Sequence, residues 1–398
     1  MVPTEQPDPR PLFVSVVTET YPPEVNGVAR TIAALVEELR RRGHSIELVR
    51  PRQGPRDRPA VAHGVEEVLV PGLRLPHFPD LRVGLPSGVR LRARWASRRP
   101  DVTHVVTEGP LGWSAVGTAR RLAIPVSSGF HTNFHTYSRH YGLRILTATV
   151  RGYLRALHNR ADCTVVPTDE TRLRLAADGF ERLAVVGRGV DSTLFHPGRR
   201  SAERRRGWGC TGEETVVAYV GRLAPEKNLA LFVHAAREVR RFDPSSRVVL
   251  IGDGPDAGAL RAGHPDFTFC GPRSGDDLAE HYASADLFPF PSQTETFGNV
   301  VTEALASGLA VVAFDYAAAH QHIRHGENGL LAPLADPAAF LARTRELAGD
   351  RPLRNRLRDG AVKLVASLSW ERAADELEGV LRGVAARSPA AYGARVAT

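Results

Sequence analysis

Lysine is nearly missing from this chain: of 52 basic residues in 398, only Lys227 and Lys363 are lysines. Biased codon usage produces such an arginine skew, so the formal charge of +8 is not read as a nucleic-acid signature. It does suit docking on an anionic membrane surface. Cysteine is scarce too. Cys163, Cys210 and Cys270 are far apart and form no metal-ligand pattern, which points to a reduced, cytoplasmic protein. No apolar run approaches the roughly 18 residues that a bilayer span requires. The first eleven residues are polar and proline-rich, without a basic start followed by an apolar core, so residues 1–11 read as a disordered tail and not as a signal peptide.

What is present is a chain too long for one core, with 42% hydrophobic and 24% charged residues: a globular protein of two domains. Strand and helix signals alternate along its length, which predicts an α/β fold of parallel sheets covered by helices. Strands are expected at 12–17, 46–49, 65–70, 102–107, 124–128, 163–166 and 183–186, with a helix from Gly27 to about Arg42. Between Gly187 and Gly212 the pattern lapses into Arg, Gly, Pro and Ser, and this stretch reads as a linker. A second series follows at 215–220, 247–251, 267–270, 287–290 and 310–314. Ser369-Trp370-Glu371 starts a last helix reaching about Ala386.

In open parallel sheets ligands sit beyond the carboxyl ends of the strands, so those loops are where chemistry is sought. After Leu287–Phe290 comes a polar loop and then a helix from near Gly298 to Gly308. Glu295 and Glu303 bracket its start, about two turns apart. The amides of Phe297, Gly298 and Asn299 are expected to face the same space, as a helix start attracts an anion. Two acceptor side chains beside an anion site suit a ligand with vicinal hydroxyls and a phosphate, such as a sugar nucleotide. The loop Gly221–Asn228 adds Arg222, whose planar fork can hold two phosphate oxygens, and Lys227, a compact charge for a leaving diphosphate. Asn26 and Gly27 open the first helix, where a glycine lets a partner approach backbone amides.

Three loops read less sharply. Gly252-Asp253-Gly254-Pro255 resembles a dinucleotide fingerprint and would suit an NADP-dependent oxidoreductase. The next strand, however, ends in Gly271-Pro272-Arg273 and offers no acid for a ribose. Phe130–Tyr137 carries His131 and His135, a floor for an acceptor; neither has an acidic or thiol neighbour that would make a metal site. The segments 90–99 and 143–160 are basic and amphipathic, and fit either an anionic lipid surface or the ordinary helices of an arginine-rich protein.

Taken together these residues resemble the family-4 retaining glycosyltransferases of the GT-B fold. Glu295 and Glu303 match that family's Glu-x7-Glu motif, Gly221-Arg222 through Lys227 its basic diphosphate site, and Gly27 its first-domain glycine loop. Thr20-Tyr21-Pro22-Pro23-Glu24-Val25-Asn26-Gly27, Phe130-His131-Thr132 and Gly187-Arg188-Gly189-Val190-Asp191 are most similar to GDP-mannose-dependent alpha-mannosyltransferases and glycolipid or sulfolipid synthases.

The resemblance implies two Rossmann-like domains facing across a cleft. Residues 12–195 would hold the acceptor, completed by the helix at about 370–386, and residues 196–369 the nucleotide sugar. It implies that Glu295 holds the transferred sugar, Glu303 the ribose, and Arg222 and Lys227 the diphosphate. His131 would lie near the reacting sugar, and Phe297–Asn299 would offer amides. Gly254 would line the nucleotide site, with Cys270, in the stretch Phe269–Pro272, bordering the base. No cofactor or metal ion is expected, the donor being a GDP-sugar or UDP-sugar. The acceptor is a lipid or a small molecule, no nucleic acid is bound, and the enzyme works in the cytoplasm or on the inner face of the cell membrane. A UDP-sugar-dependent enzyme with a soluble acceptor and a sugar-nucleotide binder without catalysis are the alternatives.

Overall fold

The computed structural model describes residues 10–24, 26–62, 64–75, 78–131, 147–295, 297–365 and 368–387. The chain divides into two compact units. One takes in the chain up to His131, the stretch ending at Arg188 and the segment from Trp370; the other runs from Gly189 to Ser369.

The first unit is built on β1 (Phe13–Val17), β2 (Ser45–Pro51), β3 (Val61–Ala62), β4 (Val65–Val70), β5 (Gly72–Leu75), β6 (Phe78–Gly84), β7 (Val102–Val105), β8 (Val126–Gly129), β9 (Cys163–Val166) and β10 (Leu183–Val185). Its main sheet has the order β10-β9-β8-β7-β1-β2-β4-β3, parallel except that β3 runs antiparallel to β4. β5 and β6 form a separate hairpin, which the sequence reading did not anticipate. The strands are buried on both faces, and helices cover each. The helix Gly27–Arg41 and the C-terminal helix Trp370–Ala386 pack on one face, where Ile32, Leu35 and Leu39 meet Leu377, Leu381 and Val384 over Val14 and Val16. The helices Gly88–Ser97 and Pro110–Arg121 cover the other, with Leu91, Trp95, Leu111 and Ala115 against Val17 and Val105.

The second unit contains β11 (Val216–Val220), β12 (Arg247–Ile251), β13 (Thr268–Gly271), β14 (Leu287–Phe290), β15 (Ala310–Phe314) and β16 (Leu330–Ala332). They form one parallel sheet in the order β13-β12-β11-β14-β15-β16. β16 lies at its edge and was not expected; three residues give too short a run to stand out.

One reading is corrected and another is narrowed here. The arginine-rich stretch before Gly212 is not a loose linker: it holds a 3-10 turn, Pro197–Arg199, and a short helix, Ala202–Gly207. Arg205 is buried and donates to Ser284 O, Asp286 Oδ2 and Glu214 O, and Arg204 pairs with Asp277 and Glu280. The segment read as amphipathic over 143–160 is a helix over Thr147–His158 within the described residues, with 143–146 outside them. Leu154 and Leu157 are buried in the unit, and Tyr153 stacks on Trp113. Residues 1–9 of the expected tail also lie outside the described residues.

Candidate active site

In the second unit three strand-end loops interlock. The loop after β14 carries Glu295, whose Oε1 accepts from Lys227 Nζ at 2.5 Å and from Ser292 Oγ at 2.7 Å. Its backbone carbonyl accepts from Tyr316 Oη at 2.6 Å. Thr294 Oγ1 donates to Glu226 O at 3.0 Å, and Asn228 Nδ2 reaches Pro291 O at 3.4 Å. The Gly221–Asn228 loop is thus tied to the β14 loop at several points.

The loop after β12 supports it from the other side. Leu223 N donates to Asp253 O and Asp256 N donates to Leu223 O, each at 2.9 Å. A Cβ at Gly252 would lie 1.9 Å from Gly221 O, and one at Gly254 2.3 Å from Leu223 O. Both glycines have positive φ, +139° and +159°. The glycine pattern that resembled a dinucleotide fingerprint therefore serves close backbone packing beneath Arg222. Gly254 supports the site from below.

Arg222, over a third exposed, lies 3.5 Å from buried Glu226, and its carbonyl accepts from Tyr219 Oη. Glu303 is buried on the helix Asn299–Ala306, and its Oε2 accepts from Tyr282 Oη at 2.9 Å, so it does not decorate a solvated face. Gly298 precedes that helix with φ +97°, and Asn299 is its first residue. Phe297 is buried in the core, its ring edge-on to His322. Cys270 is half-buried on β13, its thiol pKa raised by burial, and its carbonyl accepts two bonds from Arg273. Arg222, Lys227, Glu295 and the glycine loop are therefore directly joined, whereas Glu303 is held through Tyr282 and Cys270 through Arg273.

In the first unit, Asn26 caps the helix that Gly27 opens: its Oδ1 accepts from Ala29 N at 2.8 Å and its Nδ2 donates to Thr20 Oγ1 at 2.6 Å. Its side chain is engaged at both ends in local structure. Thr20 in turn donates to Glu24, which also accepts from Gln53.

His131 follows β8 and is buried, folded back so that a Cβ on Gly129 would meet Nε2 at 2.3 Å. Arg188 Nη2 lies 3.4 Å from Nδ1. Burial, with Arg188 beside it, holds the imidazole pKa well below its ordinary value. The ring is neutral, and an arginine donor at Nδ1 leaves the proton on Nε2. Thr132 to Tyr137, His135 included, lie outside the described residues.

Residues that the sequence reading missed gather at the ends of β1 and β7. Glu19 accepts from Leu111 N at 3.0 Å and caps the helix Pro110–Arg121; burial, with Glu108 nearby, raises its pKa to about 7. Buried Glu108 Oε1 is 3.6 Å from His158 Nε2, whose Nδ1 meets Ser128 Oγ. Tyr153 Oη donates to Glu108 O, and burial pushes its phenol up to about 12. A signal existed: Glu108-Gly109-Pro110 lies in the loop after β7 and opens the next helix. Among the described residues no group of three His, Cys, Asp or Glu could hold a metal ion.

Two family models match, one described as Glycosyltransferase Family 4 over residues 25–194 and one as Glycosyl transferases group 1 over residues 214–350. A GDP-mannose-dependent alpha-mannosyltransferase of Mycobacterium tuberculosis is 35% identical, over 94% of this chain and 97% of that one. A sulfoquinovosyl transferase of Arabidopsis thaliana is 30% identical over 89% of this chain and 70% of its own length. Among solved structures, a sucrose-phosphate synthase from Thermosynechococcus elongatus superposes with a TM-score of 0.75 at 19% identity, covering 95% of this chain and all of that one, a likeness of fold. On its sequence likeness along nearly the whole length, and with two parallel-sheet α/β domains of the GT-B type, the chain belongs to the family-4 glycosyltransferases.

Proposed function

We propose that this enzyme transfers mannose from GDP-mannose, with retention of anomeric configuration, to a lipid or lipid-linked acceptor at the inner face of the cell membrane. The observation that carries the reading is the Lys227–Glu295–Ser292 cluster knitted to the Arg222 loop at the ends of β11 and β14. The donor and acceptor follow from what the relatives are called.

Departure of a nucleoside diphosphate leaves negative charge on phosphate oxygens and positive charge on the sugar carbon. Arg222 and Lys227 supply fixed positive charge for the first and do the work a metal ion does elsewhere. Glu295 grips the hydroxyls of the transferred sugar and, once the diphosphate draws Lys227 away, its carboxylate is released to do so. Glu303, steadied by Tyr282, receives the ribose hydroxyls. His131, neutral and with its proton on Nε2, donates to the reacting sugar. The leaving phosphate assists same-face attack by the acceptor, because Glu295 serves as a binding group and not as a nucleophile. Gly27, Gly298, Asn299, Phe297 and Cys270 supply backbone to the nucleotide sugar, while Gly254 props the Arg222 loop from below.

A panel of GDP- and UDP-sugars, read by nucleoside diphosphate release with and without lipid extract, tests this. GDP-mannose with lipid is expected to give the fastest release. A preference for a UDP-sugar, or release stimulated only by a water-soluble acceptor, would replace the reading with the corresponding alternative.

A further inference from the structure

The loop Gly221–Asn228 makes ion pairs of two different kinds. Lys227 and Glu295 are in direct contact, and water reaches both partners. In the other pair Arg222 is 38% exposed and Glu226 only 1%, and Nη1 stands 3.5 Å from Oε1. One partner is open to solvent and the other is sealed inside the second unit.

Glu226 is a destabilising residue to bury there. Neither of its carboxylate oxygens has a hydrogen-bond partner among the described residues, and a carboxylate stripped of water without such bonds costs stability. Arg222 is the one cation within ion-pair reach of it among the described residues. Asp256 adds to the crowding: burial, with Glu226 nearby, raises its pKa. An acid at this point also works against a site that is to hold a diphosphate, since like charges repel.

The fold of the loop does not ask for an acid. The turn Pro225–Lys227 is closed by backbone bonds, Lys227 N to Ala224 O at 3.0 Å and Asn228 N to Pro225 O at 3.3 Å. Glu226 is tied to the β14 loop through its own carbonyl, which accepts from Thr294 Oγ1. Almost any residue could supply those backbone groups. What an acid alone supplies is a fixed counter-charge for Arg222. A guanidinium carries five donors in one plane at the end of a flexible stem, so it binds an anion best when something else sets that plane.

We propose that Glu226 is a positioning residue of the transfer reaction: from inside the second unit it anchors one edge of the Arg222 guanidinium, so that the opposite edge meets the phosphate oxygens of the nucleotide sugar. The contact is long without a donor and closes to a hydrogen-bonded pair when the diphosphate fixes the fork. The inference rests on the diphosphate role proposed above for Arg222. It sets Glu226 apart from Glu295, which gives up its cation when the donor arrives, whereas Glu226 keeps hold of its own. Removal of charge at the two acids therefore acts with opposite sign. By Coulomb's law alone, loss of a negative charge beside the site strengthens GDP binding; loss of an anchor weakens it.

Calorimetric titration with GDP (UDP, if the donor panel selects it) and thermal unfolding of Glu226→Gln, Arg222→Gln and the double variant test this. Glu226→Gln is expected to bind GDP about tenfold more weakly, as for one lost hydrogen bond to a charged group. It should melt no lower than the parent, because a buried acid is gone and Arg222 is left in contact with water. Glu226→Met, which has no polar group to make a new bond, should repeat both results. In the Arg222→Gln background the change at Glu226 should alter GDP affinity by less than about twofold, since losses that act through one contact do not multiply. Arg222→Gln strands Glu226 and should melt lower, a loss that the double variant recovers.

GDP bound by Glu226→Gln and Glu226→Met as tightly as by the parent, or more tightly, would overturn the proposal. So would losses that multiply in full in the double variant, a double variant as unstable as Arg222→Gln, or weaker binding matched by a lower melting temperature in both Glu226 variants, which would make the acid a plain part of the fold. If Arg222→Gln itself binds GDP like the parent, the diphosphate role of Arg222 falls and the anchor with it. If Arg222→Gln weakens binding and Glu226→Gln does not, the anchor alone falls.

Discussion

The pairing of Lys227 with Glu295 makes a prediction whose sign differs for the two partners. Nζ and Oε1 are 2.5 Å apart, with side chains 14% and 15% exposed. A hydrogen bond to a charged group is worth about 1.5–3 kcal/mol, a factor of about 10 to 150 in an equilibrium constant. If Lys227 holds the diphosphate, Lys227→Ala weakens GDP binding by a factor in that range. It also leaves Glu295 without its cation; since water still reaches the pair, the stability loss should stay near ~1.5 kcal/mol, below the ~3–5 expected for a fully buried pair.

Glu295→Gln acts in the opposite direction on the nucleotide. It removes the acid that competes with the diphosphate for Lys227, so GDP should bind as tightly as before or up to about tenfold tighter, while turnover of the sugar nucleotide falls about a hundredfold. Calorimetric titration with GDP, diphosphate release and thermal unfolding of the two variants give the three readouts. The reasoning is refuted if Lys227→Ala binds GDP like the parent, or if Glu295→Gln weakens GDP as much as the lysine change does.

Three further outcomes are expected. Gly254→Ala forces a Cβ to within 2.3 Å of Leu223 O and should cost about 1–3 kcal/mol, seen as a lower melting temperature and weaker nucleotide binding; a variant with parent values would show that the Arg222 loop does not rest on this glycine. Arg205→Met removes three donors' worth of bonding to Ser284, Asp286 and Glu214 and should destabilise the second unit by about 2–4 kcal/mol, which urea unfolding would measure. Glu19, with a folded pKa of about 7 against an ordinary 4.5, binds more protons folded than unfolded between those values. Stability must then fall as pH rises from about 4.5 to 7, by on the order of 3 kcal/mol, and Glu19→Gln should flatten that slope; a variant with the parent's pH profile would assign the slope to another group.

Much of the architecture was readable because local signals agreed with the final arrangement. Buried parallel strands show as short apolar runs, and the Ser369-Trp370-Glu371 start gave the last helix at Trp370–Ala386. The strand-end loops bearing Arg222, Lys227 and Glu295 could be located because a parallel sheet places its ligand loops at one edge. Long-range pairing was not readable. Nothing near Arg204 and Arg205 announces Asp277, Glu280 or Asp286, more than 70 residues away, so an anchored helix passed for a linker. Glu19 and Glu108 were missed for the same reason, since each looks like an ordinary loop acid until β1 and β7 are placed side by side. The pair of strands Gly72–Leu75 and Phe78–Gly84 defied the period-2 rule because each is short, Pro79 sits within the second and a register shift falls between Arg74 and Leu75.

The return of Trp370–Ala386 to the first unit has a consequence for biogenesis. On the ribosome, the apolar face formed by Val14, Val16, Ile32 and Leu35 is made early, but Leu377, Leu381 and Val384, which seal it, emerge only after the whole of the second unit. The later-encoded unit can complete its own core while the earlier one still waits with greasy surface in water, a natural client for a chaperone until the helix Trp370–Ala386 emerges.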